Sequence, residues 1–195
     1  MSSRANYAPG AAAGATVRKE GDTWTLVLVR ELRHPPRKVW RALTDPDQLR
    51  EWAPFDADRN LDAGGHVKLS TVGSPTPQVS ETTIKRAEAP RLLEYNWGEN
   101  ELRWELEPMA SGTRLTLWHN IGRKFISMGA AGWHICFDVL DQFLSDHPIG
   151  RIVGGDAMKF DWKRLNGEYA KQFGIAAPEW PPRDDTSTTP RGKPA

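Results

Sequence analysis

One histidine and one glutamate are the residues whose positions could support acid–base chemistry. His119 follows Leu115 and Leu117 in the alternation of a predicted strand, so its side chain is expected to point into the core. A buried neutral imidazole can orient a carbonyl or hydroxyl group, or act as an acid or base near neutral pH. A ring that is only hydrogen-bonded within the core is the alternative interpretation.

Glu81 is the candidate carboxylate partner of His119. It lies on a predicted middle strand and would complete an acid–base pair if its side chain also faced inward. A shift of one residue in strand register would turn it outward, because side chains alternate between the two faces of a strand. The pairing is therefore a hypothesis about register.

Aromatic side chains form the second candidate set. The chain has nine tryptophans, and each one buries a large area while its ring N–H needs a partner. Apolar walls with a few polar groups are typical of small-molecule sites. We therefore predict a ligand pocket, with a filled aromatic core as the alternative. Its predicted lining residues share the inward faces of strands and of one long helix: Trp97, Trp104, His119, Trp133 and Phe137.

Signatures of metal, phosphate and nucleophile chemistry are missing from the sequence. The five histidines show no His-x-x-x-His spacing or cysteine pairing, so no metal site and no cofactor are predicted. Cys136 is the single cysteine, which excludes an internal disulfide and favours a buried structural thiol. The run GRIVGGD at 150–156 lacks the Lys-Ser/Thr of a phosphate-binding loop and predicts a turn. His134 is expected to face solvent.

Composition places the chain among ordinary globular proteins. It has 195 residues and a net charge of +1, which suit one domain and give no electrostatic drive toward nucleic acid. No stretch approaches the roughly 20 apolar residues of a membrane span. The amino terminus lacks the apolar run of a secretory signal, so a cytoplasmic location is expected. We predict a single domain over 21–176, with flexible tails at 1–20 and 177–195.

Sequence periodicity predicts an antiparallel sheet. The first predicted strand, 24–32, is apolar on both faces. The later ones show alternation and are joined by short turns or loops: 66–72, 78–86, a hairpin containing 93–97 and 102–107, and 113–121. Consecutive strands joined by short turns pair antiparallel.

Helices are predicted after the first strand and at the carboxyl end. Two short ones cover 37–43 and 46–52, the second capped by Asp45. An apolar stripe predicts a long helix over 130–146. Asp156 is the expected cap of an added helix that ends at Gly174. The fold class is therefore α+β, with about six to seven strands wrapped on the long helix.

Several separated motifs resemble one known superfamily. The longest is PRKVWRALTDPDQLREW at 36–52, followed by PRLL at 90–93 with Trp97, GTRLTL at 112–117 ending in His119, and Gly132-Trp133. This pattern resembles the START-like superfamily (SRPBCC, Bet v allergen-like), in the branch named for the activator of the heat-shock-90 ATPase. The similarity covers about residues 22–147, and the segment 149–173 extends past it.

The resemblance implies a helix-grip fold with a cavity between the sheet and the long helix. Members of the superfamily bind lipids, sterols, hormones or polyketides, and a few catalyse cyclisation or hydration. The leading hypothesis is non-enzymatic binding of a small hydrophobic or aromatic molecule. One alternative is a co-chaperone-like domain that docks on a heat-shock-90 type ATPase through its outer surface. The other is a cyclase or hydratase that uses His119 with a carboxylate.

A basic cluster is the candidate docking surface for such a chaperone partner. It consists of Arg33, Arg37, Lys38 and Arg41. A solvated helix face is the alternative interpretation of this charge pattern.

Overall fold

The computed structural model describes residues 4–76 and 78–178. Within these residues there are nine strands, two before the first α-helices and seven after them: β1 (Ala15–Glu20), β2 (Thr23–Leu32), β3 (Phe55–Ala57), β4 (Gly65–Thr71), β5 (Gln78–Ile84), β6 (Arg86–Glu88), β7 (Leu92–Trp97), β8 (Asn100–Met109) and β9 (Gly112–Asn120). Six of them form an antiparallel sheet in the order β1-β2-β9-β8-β7-β6, and β3-β4-β5 form a second sheet.

Four α-helices complete the fold. They are α1 (Pro36–Thr44), α2 (Pro46–Trp52), α3 (Ile126–Leu144) and α4 (Trp162–Phe173). Proline opens both short helices, where its missing N–H has no intrahelical partner to lose. The Asp45 side chain accepts a hydrogen bond from the backbone N–H of Asp47 at 2.9 Å, as expected for the cap of α2. The predicted α+β helix-grip architecture is confirmed.

The predicted single curved sheet is divided in two. The expected strand 78–86 is interrupted, so that β5 pairs with β4 while β6 pairs with β7. Side chains of β5 still reach β7: Thr82 Oγ1 accepts from the backbone N–H of Asn96 at 3.2 Å. Ser80 Oγ accepts from the N–H of Gly98 at 3.3 Å. These side-chain hydrogen bonds stand where a continuous sheet would have a backbone ladder.

The inner face of the six-stranded sheet packs on α3. Strand register aligns His119 of β9 with Leu26 of β2 and Leu102 of β8, all of them buried. A second aromatic layer joins the helices to the sheet. The rings of Trp52 and Trp104 meet edge to face with centroids 6.0 Å apart, a favoured geometry for aromatic pairs. The core therefore extends from the sheet to the short helices.

Part of the predicted amino-terminal tail is ordered structure. Residues 15–20 form β1, which pairs with β2 over its whole length. The unpaired N–H and C=O groups along the edge of β2 attract such a strand, and Ala15 is buried at its start. Composition alone did not indicate this pairing. Most of the predicted carboxyl-terminal tail, residues 179–195, lies outside the described residues.

The added helix begins later than predicted. Residues Gly154–Lys159 form a 3-10 helix, and α4 starts at Trp162. Asp156 does not cap α4, because its carboxylate pairs with Arg4 and with Lys159. Gly174 ends the helix at φ +65°, as predicted for a glycine C-cap. Among the described helices, none has the length and apolar character needed to cross a membrane.

Candidate functional site

A pocket of about 320 Å³ lies where β9 leads into α3. Three parts of the chain supply its walls. The sheet side and the loop after α2 contribute Trp97, His119, Ile121 and Pro54. The turn before α3 and the first half of α3 contribute Phe125, Met128, Gly129, Gly132, Trp133 and Cys136. The segment after α3 contributes Ile152, Val153, Gly154, Ala157, Met158 and Trp162. None of these side chains contains an oxygen atom. Apart from His119, whose protonation is described below, none of them is ionised at neutral pH.

Three of the five predicted pocket residues line this space, namely Trp97, His119 and Trp133. The other two predictions are wrong: Trp104 and Phe137 are fully buried behind Trp133, with ring centroids 5.4 and 6.3 Å from it. Trp104 lies two residues along β8 from the partner of His119, and Phe137 lies one turn beyond Trp133. Both side chains point inward, but other side chains fill the core around them.

His119 has one satisfied and one unsatisfied ring nitrogen. Its side chain is only 3% exposed, and Nδ1 accepts a hydrogen bond from Trp133 Nε1 at 3.0 Å. An imidazole that accepts at Nδ1 carries its proton at Nε2 when it is neutral. Nε2 is buried without a hydrogen-bond partner among the described residues. The ring therefore presents a free N–H donor.

Burial controls the protonation of this histidine. Loss of hydration disfavours the charged imidazolium and lowers the pKa of His119 to about 4. The ring is therefore neutral near pH 7. Because Nδ1 is occupied by Trp133 and Nε2 holds the proton, the ring is set up to donate a hydrogen bond and not to accept a proton from a substrate.

The proposed pairing of His119 with Glu81 does not form. Glu81 lies on the solvent face of β5, with its side chain 71% exposed and 3.2 Å from Lys68 Nζ. Register places it directly across from Lys68 of β4, in the smaller sheet. The alternation of β5 thus turns Glu81 outward, which removes the acid–base pair suggested by the sequence.

Cys136 lines the pocket as a buried thiol. Burial raises its pKa to about 12, so the sulfur stays protonated and behaves as a small apolar group. No cluster of three or more potential metal-binding side chains exists among residues 4–76 and 78–178.

His134 is buried, contrary to the expectation that it faces solvent. It is 3% exposed, with Nδ1 2.8 Å from the hydroxyl of Tyr169 on α4 and Nε2 3.6 Å from Asp138. The reason is that α4 covers the side of α3 turned away from the sheet. Local sequence pattern does not indicate which face of α3 this added helix occupies.

The segment after α3 is tied to the rest of the domain by two arginines. Arg151 donates to Asp56 Oδ1 at 2.6 Å and to the carbonyl of Ala53 at 3.3 Å. Arg4 donates to the carbonyls of residues 149–151 at 2.8–3.1 Å and pairs with Asp156. The wall that this segment provides is thus held from both the second sheet and the amino terminus.

Two glycines bring this wall against the loop after β4. Gly154 has φ +56°, and a Cβ atom there would lie 2.1 Å from the carbonyl oxygen of Gly73. Gly73 itself has φ +80°. Only glycine permits such backbone conformations at this separation. The GRIVGGD run is not the predicted turn: it is an irregular segment that leads into the 3-10 helix at Gly154, and its glycines allow the close approach.

Five of the lining residues missed by sequence reasoning, those on α3 and the turn before it, have a readable signal. Lining positions 125, 128, 129, 132, 133 and 136 recur at intervals of three and four residues, the spacing of one helix face. Gly129 and Gly132 interrupt that face with small residues, and a Cβ at Gly132 would meet nothing within 4 Å. An apolar stripe with two glycines indicates space beside a helix. For Met158 and Trp162 no local signal distinguishes pocket lining from packing on the core.

Comparisons with known proteins agree with this architecture. The family described as activator of Hsp90 ATPase homolog 1-like protein matches residues 33–145. No curated protein matches the chain in sequence.

Solved structures are similar in fold. A conserved protein of unknown function from Enterococcus faecalis has 19% identity and a TM-score of 0.63, covering 81% of this chain and 89% of its own. CalU16 from Micromonospora echinospora has 22% identity and a TM-score of 0.59, covering 85% and 98%. Protein MLL2253 from Mesorhizobium loti has 26% identity and a TM-score of 0.55, covering 63% and 97%.

Proposed function

We propose that this chain, which belongs to the activator of Hsp90 ATPase homolog 1-like family, binds a small hydrophobic or aromatic molecule without transforming it. The observation that carries the proposal is the apolar pocket of about 320 Å³ beside His119. This volume lies at the lower end of the range for small-molecule sites, about 300–1,000 Å³. A compact ligand of one or two rings suits it.

The walls of the pocket favour an apolar ligand. Trp97 and Trp133 come from the sheet and from α3, and Trp162 comes from the segment after it. The indole N–H of Trp97 donates to Thr71 and that of Trp133 donates to His119, both at 3.0 Å. Their faces and edges are therefore available for packing without loss of an internal hydrogen bond.

The absence of an acid–base pair favours binding over catalysis. His119 is neutral and its accepting nitrogen is occupied, Glu81 is remote on the surface, and Cys136 is a protonated thiol. General acid–base catalysis needs a titrating group within hydrogen-bond reach of the substrate. The lining side chains provide hydrogen-bond donors, at His119 and Trp162, and no titrating base near neutral pH, which suits a binding site.

A substitution that fills the pocket tests this function. Gly132→Leu places a side chain into the open space next to Trp133, and we expect it to abolish binding of naphthalene-sized ligands that the native protein binds. Tryptophan fluorescence titration measures the affinity. Gly167→Leu is the matched control, because Gly167 is also a helical glycine with open space around it, on the exposed face of α4. Equal affinity in native protein and Gly132→Leu would place the ligand elsewhere.

A co-chaperone-like role is the second candidate, favoured by the description of the family. It would use the outer surface, including the basic cluster of α1. Lys38 of that cluster is partly engaged, since its Nζ donates to the carbonyl of Leu144, the last residue of α3, at 2.5 Å. The test is stimulation of a purified heat-shock-90 ATPase: an increase that Arg37→Glu removes and Gly132→Leu retains would support this role over ligand binding.

A further inference from the structure

We propose that the pocket selects apolar ligands that carry one neutral hydrogen-bond acceptor, such as aryl ketones, aldehydes and esters, and that Nε2–H of His119 is the group that recognises the acceptor. The inference rests on the proposed binding function and adds the chemical class of the ligand. It makes His119 a specificity-determining residue and not a catalytic one.

The Nε2–H of His119 is a buried donor without a hydrogen-bond partner among the described residues. Four buried side-chain atoms lack a hydrogen-bond partner among the described residues: Asn96 Oδ1, His119 Nε2, Ser127 Oγ and Asn166 Oδ1. Of the residues that own them, only His119 lines the pocket. Buried polar groups are nearly always hydrogen-bonded, so an orphan donor on a binding site indicates a partner supplied by the ligand.

The surroundings fix which nitrogen is the donor. Trp133 Nε1–H has no role other than donor, and it lies 3.0 Å from His119 Nδ1. Nδ1 must therefore accept, and the proton of the neutral ring lies on Nε2. The rings of Trp97 and Trp133, with centroids 6.2 and 6.0 Å from His119, hold the imidazole from two sides. The imidazole is thus held between the two indoles, and Nε2 has almost no solvent-accessible surface before a ligand enters.

The rest of the lining excludes other ligand classes. No lining side chain bears a permanent charge, so a carboxylate or ammonium ligand would be buried without a counter-ion, which is costly. No lining side chain has an oxygen that could accept from a ligand hydroxyl or amine. A carbonyl oxygen of the ligand, by contrast, would pair with the N–H of His119.

Burial keeps this arrangement constant over the physiological range. Because the pKa of His119 is lowered to about 4, the ring stays neutral well above that pH. Selectivity for the acceptor should therefore be the same at pH 6 and at pH 9.

A matched pair of ligands tests the inference. 2-Acetylnaphthalene and 2-isopropenylnaphthalene have nearly the same shape and differ in having C=O or C=CH₂ at one position. We expect the native protein to bind the ketone about 5- to 50-fold more tightly, the range for one hydrogen bond made or lost in a buried site. In His119→Leu the ratio should fall to about one, and His119→Gln, which retains an N–H donor and an acceptor, should restore part of it.

The outcomes separate the inference from the function on which it rests. If the native protein binds both compounds with equal affinity, acceptor recognition is overturned while ligand binding stands. If it binds neither, the proposed function is overturned and the inference with it. Should His119→Leu fail to fold, infrared spectroscopy of the ketone bound to native protein decides: a carbonyl stretch below its value in hexane supports the hydrogen bond, and an unshifted stretch overturns it.

Discussion

The two ring nitrogens of His119 have different hydrogen-bonding roles in the candidate site. Its neighbours leave it neutral, hold Nδ1 as an acceptor for Trp133 and leave Nε2–H without a partner. In the proposed binding function, this donor would discriminate between ligands, because a buried group left unpaired weakens binding.

The depressed pKa of His119 has a consequence for stability in acid. In the unfolded chain this histidine takes up a proton near pH 6.5, whereas in the folded protein it does so only near pH 4. The unfolded state thus binds more protons between these values, and folding stability falls as pH decreases through this window. Above pH 6.5 both states are neutral and the effect vanishes. The contribution lost by pH 4 is up to about 3 kcal/mol.

His119→Gln should remove this part of the acid sensitivity. Urea unfolding at pH 7, 6, 5 and 4 measures it, as the difference between native protein and variant at each pH. His147→Gln is the control, because His147 is exposed and its replacement should leave the native pH dependence in place. Parallel curves for native protein and His119→Gln would contradict the burial of an unprotonated ring.

The segment after α3 forms a large part of the pocket wall. It lies beyond the region matched by the family, and it supplies six of the lining residues, including Met158 and Trp162. Its position depends on backbone contact between Gly154 and Gly73. We infer that this element sets the size of the ligand that the pocket accepts, since its side chains form the wall opposite α3.

Gly154→Ala should disrupt this wall. The added Cβ would meet the Gly73 carbonyl at 2.1 Å and would impose a side chain on a residue with φ +56°. We expect a loss of about 2 kcal/mol in unfolding free energy and weaker ligand binding. Thermal unfolding and fluorescence titration check the two effects.

Gly155→Ala is the control for that substitution. Gly155 is adjacent in sequence, its φ is not positive, and a Cβ there meets nothing within 4 Å. It should be neutral or slightly stabilising, because alanine restricts the unfolded chain more than glycine does. Equal effects at the two positions would mean that the glycine contact does not determine the wall.

Helix α3 is covered on two sides by the rest of the domain. The six-stranded sheet covers one side, and α4 with the amino-terminal segment covers the other. Polar contacts tie the outer layer to the helix: Tyr7 Oη donates to Asp138 Oδ2 at 2.7 Å, and Arg30 Nη1 lies 2.9 Å from Asp138 Oδ1. The segment around Tyr7 and helix α4 therefore pack on the same long helix as the six-stranded sheet.

Arg4→Gln should loosen one part of the domain. It removes the donors that hold residues 149–151, and because Arg4 is more than a third exposed, the expected loss of stability is only about 1 kcal/mol. The clearer result is local: amide hydrogen exchange should accelerate over 149–160 and stay unchanged over 130–140 of α3. Ligand affinity should fall a few-fold.

A surface arginine provides the control. Arg41 is 71% exposed and lies 3.9 Å from Asp45, so Arg41→Gln should alter neither exchange nor affinity. Uniform acceleration across α3 in Arg4→Gln would show that the amino-terminal segment stabilises the whole domain instead of the pocket wall.

Local pattern determined the elements of this protein and the direction in which His119 points. Alternation and helical spacing depend only on neighbours along the chain, so the strands from β7 to β9, the two short helices and most of α3 followed from the sequence. The inward face of His119 followed in the same way, because register is set by burial of Leu115 and Leu117.

Tertiary packing decided which inward residues meet empty space. Trp97 and Trp104 have the same local pattern, yet only Trp97 lines the pocket, because the level at which α3 crosses the sheet determines where the core is filled. The outward turn of Glu81 depends on pairing with β4, and the burial of His134 depends on where α4 docks. Contacts between distant segments carry no signature in the spacing of either one, so only the folded chain shows the wall that completes the site.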